Sequence, residues 1–295
     1  MMLTEVPRSG LHWVRTLIIL LTLITFIYLL FDGFSYYTTP YSERPHLADY
    51  RELRPAGSRG LAYGFIGSAM MILMLTYSLR KRTRLLGKLF TLRNWLDLHI
   101  YLGIFGPLFI LLHTSFKVQG LVAVAFWSMV AVALSGYLGR YLYLQIPRNI
   151  EGNELTLAEI EDSREDFNRS LRTMGLNDAD LAAIDRLSLP ENFEQQGTLR
   201  MLFGMLAADV ARPLQVKRIE RHLRIQSGIA LGEYHRAAAL AVKRSVLRRR
   251  VLVLEKVHEL FHYWHVIHKP FALIMYLIMA VHIGVAIWTG YTWIF

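Results

Sequence analysis

Cysteine is absent from the 295 residues. That excludes disulfides, cysteine-held iron–sulfur clusters, thiolate ligation of iron and covalent c-type haem attachment. Acidic residues are scarce beside basic ones, 23 against 33, for a net charge of +10. No aromatic-rich or Gly-rich basic segment accompanies that excess, so nucleic acid is not an expected partner. The polar stretch from about Pro147 to His265 shows no phosphate loop and no dinucleotide fingerprint. A cleavable leader is not expected either: the apolar run from Thr16 to Phe31 is long for a signal peptide, and no small-residue cleavage site follows it. What the chain has in excess is apolar residues, 54% of the total with a mean hydropathy of +0.30. They are gathered into runs near the length of about 20 residues that crosses a bilayer.

Five such runs predict five membrane-spanning helices, at about Trp13–Phe31, Gly60–Leu79, Trp95–Phe116, Gly120–Leu144 and Pro270–Tyr291. Phe31, Phe34, Tyr36 and Tyr37 read as interfacial aromatics at the exit of the first span. Between the second and third spans, Arg80 to Arg93 contains six basic residues and no acid. The positive-inside rule places this loop, and with it the N-terminus, in the cytoplasm, and the C-terminus outside. The tract Lys243–Arg250, KRSVLRRR, falls on the same side. The chain therefore divides into residues 1–146, carrying four spans, a polar insert over 147–265, and the fifth span over 266–295.

The insert is expected to be all-helical and cytoplasmic. Thr156 and Glu159 form a capping-box pattern, and Gly175 suits a helix end. Further helices are predicted over Asp178–Leu187, stopped near Pro190, and over Thr198–Val210. A long helix is predicted from Pro213 through the basic tract, extending toward the fifth span.

Chemistry is concentrated in four histidines. The third span holds His99 and His113; the fifth holds His268 and His282. Each pair is fourteen residues apart, about 3.9 helical turns and a rise of about 21 Å. Both members of a pair thus share a helix face, one near each membrane surface. Because both spans run outward, His99 and His268 meet at one level and His113 and His282 at the other. Two imidazoles from facing helices are what a haem iron takes as axial ligands. Ionisable groups within a bilayer are costly, so an ordered set of four needs a function. The spans offer little carboxylate for a proton relay, only Asp97 near an end.

His258, His262 and His265 also precede the fifth span. His265 points about 100° from the face of His282, so His268 is the better partner for His99 and His265 the alternative. Gly103 and Gly106, beyond His99 on nearly its face, would let a porphyrin approach the backbone. Arg140, Lys269 and, at the outer level, Lys117 are placed to meet haem propionates. Each also fits an ordinary snorkelling anchor.

The two H-x13-H pairs resemble the di-haem membrane cores of the cytochrome b and ferric-reductase-like families. The resemblance covers the third to fifth spans. It implies an all-α membrane protein with a four-helix haem-binding bundle formed by the second to fifth spans. It further implies two stacked b haems, the inner held by His99 and His268 and the outer by His113 and His282. The long insert departs from the simple family members, and the flavin- and nicotinamide-binding region of ferric reductases is not seen. The quinone-site motif of the cytochrome bc-type proteins is not evident.

These readings lead to one expectation: a cytochrome b subunit of a membrane oxidoreductase. It would sit in a bacterial inner membrane and pass electrons between a quinone pool or soluble donor and partner subunits. A histidine-based proton or ion transporter and a non-catalytic membrane scaffold are the alternatives; neither predicts bound porphyrin.

Overall fold

The computed structural model describes residues 10–83, 89–148, 154–188, 197–226 and 232–291. Loop positions 84–88, Pro190 as a helix stop and the last four residues lie outside them. The described residues form helices α1 (Gly10–Asp32), α2 (Phe34–Thr38), a 3-10 turn at Arg44–His46, α3 (Tyr50–Leu53), α4 (Ser58–Arg82), α5 (Leu92–His113) and α6 (Leu121–Gln145). They continue as α7 (Leu157–Thr173), α8 (Asp178–Ser188), α9 (Thr198–Val210), α10 (Arg212–Gln226), α11 (Tyr234–Leu252) and α12 (Leu254–Trp288). Among the described residues there is no strand, only an isolated bridge between Arg148 and Glu154. Five helices are long and apolar enough to cross a membrane: α1, α4 with the short α3 leading into it, α5, α6 and α12.

Two compact units account for the described residues: those of Tyr141–His262, and those of Glu5–Arg140 with Tyr263–Phe295. In the second unit, α4 and α5 form the tightest helix pair. Apposed glycines explain the close approach: a methyl group on Gly106 would stand 3.4 Å from the Gly67 carbonyl oxygen. Helix α5 begins at Thr91, whose hydroxyl accepts from the Asn94 amide, and α4 ends in Arg80, Lys81 and Arg82, which suit the negative end of its dipole. Helix α1 runs parallel beside α5, joined by Arg15 to Asp97, by Thr22 to the Tyr101 hydroxyl at 2.7 Å, and by an edge-on contact of Phe26 with Phe109.

Helix α12 joins the others through long side chains. Met71 of α4, Met129 of α6 and Met275 of α12 form a buried cluster. The Tyr276 hydroxyl donates to the Met71 carbonyl at 2.6 Å, and the Trp264 indole donates to the Ser135 carbonyl at 2.8 Å. The fifth span was expected to start at Pro270, yet α12 begins at Leu254 and runs through that proline. A proline removes one backbone donor without ending a helix that its flanking turns and packing hold.

Past α1, Tyr36 and Tyr37 are buried rather than interfacial, while Phe31 and Phe34 are exposed. The tyrosines turn inward because the buried Arg44 guanidinium organises this end. It donates to the carbonyls of Thr39, Tyr37 and Ser115 at 2.7–2.8 Å and lies over the Tyr36 and Tyr41 rings. The Ser115 hydroxyl donates to the Leu53 carbonyl at 2.6 Å, closing the cap.

In the first unit, the Thr156–Glu159 capping box forms in full at the start of α7. The end of α7 is a Schellman turn: Gly175 has φ of +97°, with Gly175 N bonded to Arg172 O and Leu176 N to Leu171 O. Leu171 and Leu176 enter the unit's core with Leu181, Ile184, Ile219, Leu223, Ala237 and Ala241. Helices α8 and α9 match expectation. The expected long helix from Pro213 does not form as one piece: α10 ends at Gln226 and α11 starts at Tyr234, with Gly232 at φ of +105° before it. Splitting the segment lets α10 and α11 fold on one another, burying Ile219 and Leu223 against Ala237, Ala238 and Ala241. A single rod would leave that apolar surface in water.

Asp209 of α9 ties the same unit together. Its carboxylate accepts from Tyr141 at 3.2 Å and Gln145 at 3.0 Å, both in the last turns of α6, and from Arg212 at 3.1 Å. The buried Arg249 of α11 completes the set. Burial, the largest single influence, pushes the Asp209 pKa up, but Arg249, Gln145 and Arg212 together outweigh it and hold the carboxyl below the usual carboxylate value.

Candidate functional site

The histidines of α5 are set by the backbone of α4. The Nδ1 of His99 bonds the Met74 carbonyl at 3.1 Å, and the Nδ1 of His113 bonds the Gly60 carbonyl at 2.8 Å. A carbonyl only accepts, so Nδ1 carries the hydrogen in both rings and Nε2 presents a lone pair. Gly60 and Met74 are fourteen residues apart, as are His99 and His113. The two antiparallel helices thus repeat one arrangement at both levels, with the Gly67–Gly106 approach between them.

Gly64 makes room for the His113 ring. A Cβ there would lie 2.7 Å from His113 Nδ1 and 2.9 Å from Cε1. On the other side, the rings of His113 and His282 stand 6.4 Å apart between centroids with their planes at 61°. Rings at this separation, even aimed at each other, put their nearest nitrogens about 4 Å apart, too far for a hydrogen bond. An iron between two imidazoles, with metal–nitrogen bonds of about 2 Å on each side, sets ring centroids about 6 Å apart. The His113–His282 separation of 6.4 Å is thus close to that distance. His282 itself is exposed.

At the other level, His268 is held by α6. Its Nδ1 lies 2.7 Å from Ser135 Oγ, which itself donates to the Val132 carbonyl at 2.9 Å. The serine oxygen therefore accepts from His268, leaving Nε2 as the free donor atom. The Trp264 ring lies 4.7 Å from the His268 ring and packs on Gly139, where a Cβ would meet the indole at 2.3 Å. His265 packs edge-on against the same tryptophan at 4.5 Å, so it is His268 that the Ser135 bond orients.

Gly103 and Gly106 face α4: a Cβ at Gly103 would meet the Met74 sulfur at 3.1 Å, and one at Gly106 the Met71 Cγ at 3.1 Å. Arg140 lies 3.5 Å from Asp97, whose other oxygen accepts from Arg15 at 2.5 Å. The anchor expected on α6 is thus already one arm of a three-residue ion cluster. Lys117 reaches over the Tyr41 ring at 5.9 Å and lines a groove with Phe116, Gln119 and Trp127. Lys269 is exposed beside His268.

The supports Gly60, Gly64, Met74, Ser135, Trp264 and Arg15 were not anticipated. A glycine spacing of four and three residues at Gly60, Gly64 and Gly67 was the available signal for the first two. Among the described residues, no three His, Asp or Glu side chains converge as a compact metal site requires. The chain matches no family model, no curated protein and no solved structure.

Proposed function

We propose that this chain is a transmembrane electron carrier holding two b-type haems, the outer between His113 and His282 and the inner between His99 and His268. The observation carrying this reading is the repeated second-sphere bond: three of the four imidazoles have Nδ1 tied to an acceptor, which turns Nε2 outward as a ligand. The 6.4 Å spacing of the outer rings supports it.

When bound, each haem supplies reversible one-electron transfer. The protein fixes ligand identity and orientation through Gly60, Met74 and Ser135, and raises imidazole basicity by accepting its proton-bearing edge. The buried Met71, Met129 and Met275 would keep water from between the two levels, Lys117 would offer a cation to an anionic propionate, and Arg140 could do so only by sharing its pairing with Asp97. In this reading the chain works as the cytochrome b subunit of a bacterial inner-membrane oxidoreductase, fed or drained by a quinone or a redox partner, with its N-terminus and insert cytoplasmic.

Purified protein reduced with dithionite is expected to show b-type absorption and two haems per chain. Protein lacking that absorption, or binding far less than two haems, refutes the proposal.

A further inference from the structure

Helix α9 is amphipathic in an unusual place. Its inward face, the buried Met201 and Met205 with the half-buried Asp209, packs within its unit, and Asp209 bonds Tyr141 and Gln145 in the last turns of α6. On roughly the opposite side, Phe203 is 70%, Leu206 47% and Val210 74% exposed, and Leu214 follows at 65% on the same line at the start of α10. Lys217 and Arg218, one turn further along, and Arg221, two turns along, are exposed.

We infer that this face rests in the headgroup layer of the bilayer that α6 crosses, with its basic end on anionic lipid. Three observations converge. The helix is bonded to the last turns of a span, which puts it at headgroup height. Its exposed side chains form a narrow apolar stripe continued by three cations, the pattern of a helix lying in a membrane surface about 5–10 Å deep. The stripe is also too small for a stable protein interface, which draws on about 20–30 residues a side. Four large apolar side chains in water carry a cost that the acyl boundary removes. The cations match the anionic surface of a leaflet.

The absence of cysteine makes the test direct. Single variants Leu206→Cys and Val210→Cys in the full chain, with Arg169→Cys on α7 as reference, are labelled with an environment-sensitive fluorophore. They are then placed in nanodiscs with and without anionic lipid. The inference expects blue-shifted emission at 206 and 210, quenched several-fold more by a lipid-borne nitroxide than by iodide, and water-like emission at 169. Adding anionic lipid should strengthen the shift, and the triple variant Lys217→Gln, Arg218→Gln, Arg221→Gln should abolish that dependence. Water-like emission and iodide quenching at 206 and 210 in both lipids overturn it. So does a shift that appears only on adding a soluble protein, or a lipid dependence that survives the triple variant.

Discussion

Replacing Gly64 by Ala separates fold from function because the two respond with opposite sign. Gly64 lies inside α4, where an alanine stabilises the helix by about 1 kcal/mol relative to glycine. Its new methyl group, however, would sit 2.7 Å from His113 Nδ1 and 2.9 Å from Cε1. Ordinary carbon contacts begin near about 3.5 Å, so the ring must retreat by roughly 0.7 Å. That exceeds the tolerance of about 0.2 Å in a metal–ligand bond and lengthens the 2.8 Å bond to the Gly60 carbonyl. On the proposed function, the haem-free Gly64→Ala protein should melt no lower than the haem-free parent, yet the loaded protein should lose or convert its outer haem alone. Haem per chain should fall from two toward one, or half the low-spin electron paramagnetic resonance signal should become high-spin. Unchanged stoichiometry and unchanged low-spin signals from both haems would refute the reasoning.

Three further outcomes are expected. Ser135→Ala removes the acceptor for His268 Nδ1, worth about 1 kcal/mol in all, and on the proposed function should raise the inner haem potential, by no more than roughly 40 mV, in a redox titration while the outer stays put. Asp209→Asn strands the buried Arg249 and should destabilise the Tyr141–His262 unit by about 3–5 kcal/mol, read as faster proteolysis of that unit with haem content unchanged. Asp209 has a depressed pKa in the folded state, so its stabilisation is complete above the unfolded value of about 3.9 and is lost as pH falls through the folded one. Proteolysis of that unit should therefore accelerate only in strong acid, and the Asp209→Asn variant should lack this acid step.

Much of the framework could be read from residue order alone. Apolar runs located the spans, and the equal spacing of His99–His113 and His268–His282 survives any uncertainty in helix ends. The capping box at Thr156 and the glycine stop at Gly175 are local codes, fixed within a few residues, and they formed as read. What escaped depends on partners distant in sequence. The Met74 and Gly60 carbonyls belong to the backbone, which carries no residue signature. The fifth span was read as starting about Pro270, while α12 starts earlier, at Leu254, and carries the helix through that proline. Tyr36 and Tyr37 looked interfacial until Arg44 supplied a polar centre for them to cover. The break before α11 reflects burial of an apolar seam, which helix periodicity from Pro213 to Arg250 did not announce.

The matched fourteen-residue intervals on α4 and α5 have a mechanical corollary. Both α5 imidazoles are indexed by one neighbouring helix, so a shift of α4 moves the two rings together rather than one by one. Inserting one residue between Gly60 and Met74 would turn one carbonyl about 100° away from its imidazole while the other stayed engaged. A change in length within this segment would therefore break the synchrony of the pair, where a substitution need not.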